Sequence, residues 1–225
     1  MNCHAFSFAG AELRALGSGG LWWPEQALLC VSDLHLGKSE RVARRAGQTL
    51  PPYETRDTLT RLGEDLARTG ARTVICLGDS FDDRIAAAAL PEEERLWITR
   101  LQAGRQWIWI EGNHDPGPLE FGGTHQQTAR TGPLVFRHIA EAEARAEVSG
   151  HYHPKAHLHA RGRLVSRPAF LYDSTRLILP AYGTYTGGLR TDEQTLCNLM
   201  KPDALAILTG PTPVCIPMPR KETAP

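Results

Sequence analysis

Seven side chains that could hold a cation, Asp33, His35, Asp79, Asn113, His138, His151 and His153, fall in a few short clusters of the chain. The clusters read Asp33-Leu34-His35, then Gly78-Asp79, then Gly112-Asn113-His114-Asp115, with His138 alone and Gly150-His151-Tyr152-His153-Pro154 last. The set contains no thiolate, which argues against a structural zinc knuckle and suits Mn²⁺, Fe or Zn²⁺ with positions left open for a substrate. Calcium would call for more carboxylates. In an extended segment, imidazoles two residues apart point the same way, so His151 and His153 can serve one pocket. Taken singly, an Asp after a strand is an ordinary turn or cap residue and a lone His an ordinary satisfied polar group; the ordered set carries the information.

Such donors need rigid elements to aim them. Ala27 to Ser32, Thr73 to Leu77, Gln106 to Ile110 and Leu134 to Phe136 are short apolar runs rich in β-formers, and each reads as a buried strand. A donor cluster follows each run, at the carboxyl edge where open α/β sheets bind ligands. Between the first two runs, Leu59, Leu62 and Leu66 recur at helical spacing and Gly70 follows as a stop, predicting an amphipathic helix from Tyr53 to Arg68. A second helix is predicted from Pro91 to Gln102, with three Glu in its first turn and Leu96 and Trp97 facing inward. Phe170 to Leu179 and Leu205 to Leu208 look hairpin-like and predict a second sheet. The expected fold class is α/β, a four-layer α/β/β/α sandwich of two mixed sheets packed face to face and flanked by helices. One domain over residues 1–218 is expected, with 219–225 a flexible tail.

Lys plus Arg and Asp plus Glu number 25 each, so the formal net charge is zero. No whole-molecule field marks a dedicated nucleic-acid coat or a membrane binder, and attraction for phosphate must be local. The five cysteines are odd in number, far apart and never in a CxxC pair, which predicts free thiols in a reducing cytoplasm. No apolar run approaches the ~20 residues that span a bilayer, and residues 1–20 lack the pattern of a secretory signal. Local charge is found from Lys38 onward, where Lys38, Arg41, Arg44, Arg45 and Arg56 face only Glu40 and Glu54. That stretch either grips phosphate oxygens or forms a solvated helix face. Tyr182 and Tyr185, among the glycines of LPAYGTYTGGL, either offer aromatic faces to bases or turn a hairpin.

The order DLH, GDSFDD, GNHD, GHYHP between Leu28 and Pro154 resembles the calcineurin-like metallophosphoesterase superfamily. The resemblance implies that Asp33, His35 and His153 hold one cation, that Asn113, His138 and His151 hold another, and that Asp79 bridges them. Two cations ~3.5–4 Å apart would clamp the phosphoryl oxygens and turn a bridging water into a hydroxide aimed in line at phosphorus. His114 would stand over the leaving oxygen as a charge stabiliser or proton donor, with Asp115 orienting its ring. One departure concerns His138, whose neighbours Arg137 and Ile139 are not glycine. His125 is the rival, but it follows Gly122-Gly123 rather than a strand-like run. His157 and His159 fall where the chain continues into a new strand, at surface or substrate-side positions.

The segments GKSERVARRAGQTLPPYETRDTL, FRH, EVSGHYHPKA, SRPAF and LPAYGTYTGGL are similar to the bacterial ligase-associated DNA damage response endonucleases, over about residues 28–190. The similarity implies Mn²⁺-dependent hydrolysis of nucleic-acid phosphodiesters in DNA repair, in association with a DNA ligase and a helicase. Fe, Zn²⁺ or Mg²⁺ are the other cations to consider. Lys38, Arg41, Arg44, Arg45, Tyr182 and Tyr185 are the expected substrate-binding positions. The competing readings are a phosphoesterase of cyclic nucleotides or nucleotide pyrophosphates, and a non-catalytic repair scaffold. A missing donor or a missing GNHD histidine would favour the scaffold, and neither is missing.

Overall fold

The computed structural model describes residues 2–47, 50–117, 120–160 and 162–220. Three antiparallel strands, β1 (Cys3–Phe8), β2 (Ala11–Leu16) and β3 (Leu21–Trp23), lead into β4 (Leu28–Val31). Helices α1 (Lys38–Ala46) and α2 (Glu54–Thr69) then precede β5 (Thr73–Leu77), and α3 (Arg84–Ala88) and α4 (Glu92–Gln102) precede β6 (Gln106–Ile110). With β7 (Thr124–Gln126) these strands form a seven-stranded sheet in chain order, parallel from β4 to β7.

The second sheet contains β8 (Thr128–Thr131), β9 (Leu134–Arg137), β10 (Glu147–Ser149), β11 (Lys155–Ala160), β12 (Arg163–Tyr172), β13 (Arg176–Ile178), β14 (Leu205–Leu208) and β15 (Val214–Pro217). Its order is β15-β14-β12-β13-β10-β9-β8, with β11 attached to β12 alone, and α5 (Gln194–Leu199) lies between β13 and β14 in the chain.

Alternation along each strand explains why the runs are apolar throughout. Leu28, Cys30, Ile75, Leu77, Ile108 and Ile110 enter a core shared with Phe136, Val148, Phe170, Leu177 and Ile207 of the other sheet. Their neighbours Leu29, Val31, Val74, Cys76, Trp107 and Trp109 face the opposite way, onto Leu59, Leu62, Leu66 and Ile98 of α2 and α4. A strand covered on both faces has no polar side to display. Each fully buried leucine of α2 contributes ~1.5–3 kcal/mol. On the far side, Ala169, Leu171, Ile178 and Ala206 pack against Leu196 of α5 and Met200 just beyond it, completing the α/β/β/α sandwich.

The expected strands and helices form at or within a residue or so of their predicted limits, except that the hairpin expected from Phe170 to Leu179 starts earlier, with β12 beginning at Arg163. Leu96 departs from expectation: it is 47% exposed, and the inward face of α4 is formed by Glu94 and Ile98, with Trp97 partly buried. The tail expected from residue 219 is still tied down at Arg220, whose Nη2 donates to the Met200 carbonyl at 3.0 Å; residues 221–225 lie outside the described residues.

Candidate metal centre

The loops after β4, β5, β6, β9 and β10 bring the seven candidate donors together, and they do so through unusual backbone. Asp33, His35, Asp79, His151 and His153 all have positive φ, between 45° and 70°. Left-handed backbone is uncommon for residues with a Cβ and costs about 1–3 kcal/mol at each position. Five such positions in one pocket mark where the fold spends stability to aim side chains. Two glycines permit the close approach. A Cβ on Gly78 (φ +71°) would collide with the His138 ring, and one on Gly112 would overlap Asp79 and Asp115.

Among the described residues, three groups present ligand atoms within 4.8 Å of one another. Two share no residue, Asp33, His35 and His153 as the first and Asp79, His138 and His151 as the second, while His35, Asp82 and His114 form a third at the rim that borrows His35 from the first. In the first group, Asp33 Oδ1 lies 3.1 Å from His153 Nε2, and His153 Nε2 faces His35 Nε2 at 3.4 Å. The other Asp33 oxygen accepts from Ser32 Oγ at 2.5 Å and from the His151 amide at 2.9 Å, so only Oδ1 is free for the pocket. In the second group, His138 Nε2 lies 2.9 Å from Asn113 Oδ1, 3.2 Å from His151 Nδ1 and 3.4 Å from Asp79 Oδ2. The groups adjoin, with His138 Nδ1 only 3.9 Å from Asp33 Oδ1.

Proton positions follow from the acceptors. His138 Nδ1 lies 2.8 Å from the Leu77 carbonyl, and His35 Nδ1 lies 2.8 Å from Asp82 Oδ1. A carbonyl or carboxylate can only accept, so both Nδ1 atoms carry protons and both Nε2 atoms turn into the pocket, where a cation would take the place of any proton they hold. Burial opposes charge on His138, but the Asp79 and Asp33 carboxylates outweigh it and lift its pKa to about 9. Burial would raise the Asp79 pKa, and the hydrogen bond and charge of His138 instead hold it well below the carboxylate range. His151 is pulled down by burial and by the neighbouring His138. Ring nitrogens facing each other, carboxylate oxygens among them, no sulfur, and a buried Asp33 Oδ1 without a hydrogen bond are the donor chemistry that a pair of borderline divalent cations requires.

At the rim, the His114 amide donates to Asp79 Oδ1 at 2.9 Å, and its Nε2 stands 4.0 Å from Asp79 Oδ2 with the side chain 31% exposed. Its Nδ1 lies 2.8 Å from the Asp82 carbonyl. This corrects the role expected of Asp115. Asp115 is buried and accepts amide hydrogens from Asp79, Ser80, Phe81 and Gly112 at 2.8–3.2 Å, so it shapes the two donor loops rather than the His114 ring. Burial and the Asp79 charge push its pKa up to about 7 in spite of those bonds.

Asp82 is the residue that sequence reading overlooked. It is 1% exposed and holds His35 through its carboxylate, His114 through its carbonyl, and Arg41 Nη1 at 2.9 Å. The signal was present as the fifth residue of GDSFDD, but one Asp among three in six residues carries no label in the sequence.

The basic stretch divides. Arg41 Nη1 reaches the pocket, 3.1 Å from His114 Nδ1, and Lys38 Nζ lies 3.7 Å from Asp82 Oδ1. Arg44 and Arg45 turn instead to Asp83 at 2.7 and 3.4 Å. Tyr182 is corrected outright: it is fully buried, and its hydroxyl donates to Asp65 Oδ2 at 2.9 Å, so it anchors a loop and offers no face to a base. Tyr185 is 41% exposed. His125 lies in β7, stacked on Trp109, apart from both donor groups, whereas His138 lies within one. His157 is partly buried in β11, and the side chain of His159 lies outside the described residues.

A two-sheet α/β sandwich with an imidazole and carboxylate cluster on the loops after its strands defines a metallophosphoesterase. The chain belongs to the calcineurin-like phosphoesterase family, whose model matches residues 27–198. It is similar to the structure described as Pseudomonas putida nuclease MPE, at 28% identity and a TM-score of 0.73, covering 95% of this chain and 100% of that one. A comparison with curated proteins gives no match. The chain is therefore a hydrolase of phosphoester bonds. Among the described residues, no helix is long and apolar enough to cross a membrane.

Proposed function

We propose that this protein is a divalent-metal-dependent phosphodiesterase acting on nucleic acid. The observation that carries the reading is the pair of adjoining donor groups, with ring nitrogens facing one another and His114 at their open edge. Asp33, His35 and His153 would hold one cation, and Asn113, His138 and His151 the other, with Asp79 between them. When bound, the cations supply Lewis-acid polarisation of the phosphoryl oxygens and lower the pKa of water.

The chain's own residues contribute the remainder. The Asp82 carbonyl holds the Nδ1 proton of His114, so in the imidazolium form the Nε2 proton is the one delivered to the departing ester oxygen, leaving the neutral ring behind. Arg41, held by Asp82, places positive charge beside that ring, where a phosphate oxygen gathers charge. Asp115 stays on backbone amides and keeps the Asp79 and Gly112 loops in register. Similarity to a protein described as a nuclease supports a polynucleotide substrate. The narrower sequence resemblance supports Mn²⁺, and DNA repair beside a ligase and a helicase, as the setting. Five free thiols favour a reducing compartment such as the cytoplasm.

The test is chelation followed by Mn²⁺ add-back, scored on labelled single-stranded and duplex DNA with a chromogenic diester and monoester alongside. Restored cleavage of DNA and diester, without monoester turnover, is expected. Turnover of monoester alone, or activity indifferent to chelation, would reject the proposal.

A further inference from the structure

The cations that sequence pattern singled out on α1 are largely neutralised by the protein itself, through Asp82, Asp83 and Glu40. A second run of basic residues lies elsewhere in the sequence. From Lys155 to Pro168 the chain contains Lys155, Arg161, Arg163, Arg167, His157 and His159 with no Asp or Glu, although the protein as a whole is neutral. This segment begins two residues after His153, and its described strands, Lys155–Ala160 of β11 and the Arg163-to-Pro168 half of β12, form an antiparallel pair. β14 pairs with β12 only over Ala169–Tyr172, and β13 only over Leu171–Tyr172. The Arg163-to-Pro168 half therefore has β11 as its one strand partner among the described residues and overhangs the sheet as a two-stranded ribbon.

Arg163 and Arg167 sit at alternate positions of one strand and so share a face, the one on which their partners Ala160 and Ala156 also lie. Both are exposed, and among the described residues neither has a carboxylate partner. Four residues of strand separate them by ~13 Å, close to four base-pair rises of ~3.4 Å. The base of the ribbon is fixed: Ala156 and Leu158 pack into the core under α5, and Lys155 Nζ donates to the Thr186 carbonyl at 2.9 Å. A mobile loop would lose entropy on binding; a strand pair seated in this way loses less.

We propose that the β11–β12 ribbon is a docking arm for a polynucleotide backbone, with Arg163 and Arg167 gripping phosphates of the bound nucleic acid outside the metal centre. It deepens the functional reading above and rests on it. Arginine forks bind phosphate oxygens in pairs, and such contacts position a nucleic acid without reading its sequence.

The experiment compares the Mn²⁺-loaded wild type with Arg163→Gln/Arg167→Gln, using fluorescent phosphorothioate oligonucleotides that resist cleavage, single-stranded and duplex, across a salt series. Turnover of a small chromogenic diester serves as the control for fold and chemistry. Expected are unchanged diester turnover, about tenfold weaker oligonucleotide binding, and a salt slope shallower by ~1.4–1.8, the counterion release of two phosphates. Lysine at both positions should restore most of the affinity. Equal affinity and equal slope in wild type and variant would overturn the ribbon proposal alone. A wild type that hydrolyses the small diester and binds neither oligonucleotide would overturn the nucleic-acid reading with it.

Discussion

The two donor groups differ in what aims them. His35, in the first, is oriented by the carboxylate of Asp82, whereas His138, in the second, is oriented by the backbone carbonyl of Leu77. A side chain can be exchanged by one substitution, and a carbonyl at the end of a core strand cannot. The first group is therefore open to tuning by mutation, while the second is fixed by β5 itself. The same contrast appears around Asp33 and Asp79. Each carboxylate gives one oxygen to a backbone amide and turns the other toward imidazoles.

The largest effect should come from removing what the groups share. Asp79→Asn keeps the shape and loses the charge that His138 faces. Turnover is expected to fall below detection, and calorimetric Mn²⁺ titration of the variant should show both binding steps weakened. If one step survives at wild-type affinity, Asp79 belongs to the second group only and the bridging role is lost. His114→Ala comes next. General acid catalysis contributes about 10²–10⁴-fold, so a rate loss of that order is expected with both Mn²⁺ steps unchanged. A leaving group that needs no proton, such as a nitrophenolate, should recover much of the rate.

Asp82→Asn addresses the contrast directly. An amide in place of the carboxylate weakens the hold on His35 and leaves His138 untouched. Loss of such an orienting partner typically costs about 10–100-fold in metal affinity, and that loss should fall on one titration step of two. Equal weakening of both steps would show that Asp82 acts on the pocket as a whole.

Much of the site was legible because the donors up to His138 each follow an apolar run, so strand ends and ligand loops coincide in the sequence; His151 and His153 follow the short strand Glu147–Ser149 instead. Local pattern could not supply the partners that come from far along the chain. Tyr182 sits among glycines, which suggested an exposed turn, yet its partner Asp65 comes from α2, 117 residues earlier, and closes over it. Arg44 and Arg45 looked free because Asp83 lies about 40 residues away. Leu96 looked inward by spacing, but Glu94 and Ile98 take that face of α4. The strands β1 and β2 were overlooked, since Ala, Glu and Arg in AELRAL give a weak alternation even though the burial pattern there is regular.

The smallest expected effect tests a carboxylate that has no chemistry to perform. Asp173, at the turn between β12 and β13, accepts from the Thr175 and Arg176 amides and the Thr175 hydroxyl through Oδ1, and from the Lys201 amide through Oδ2. Burial alone would raise its pKa, but these bonds favour the ionised form and hold it below the ordinary value of 3.8. A depressed folded-state pKa contributes stability above the unfolded value, and that stability fades as pH falls through the folded one. Asp173→Asn should therefore lower stability by ~1–3 kcal/mol at neutral pH, with Mn²⁺ binding and turnover intact. The gap in Tm from wild type should narrow below about pH 4. A gap that is constant from neutral pH into acid would mean that the four donors hold Asn as they hold Asp, and that charge contributes nothing at this turn. Both oxygens of Asp173 are taken up by amides and a hydroxyl of the fold, whereas Oδ1 of Asp33 faces the rings of His153 and His138; a carboxylate oxygen turned toward imidazoles is what separates a site from a well-made turn.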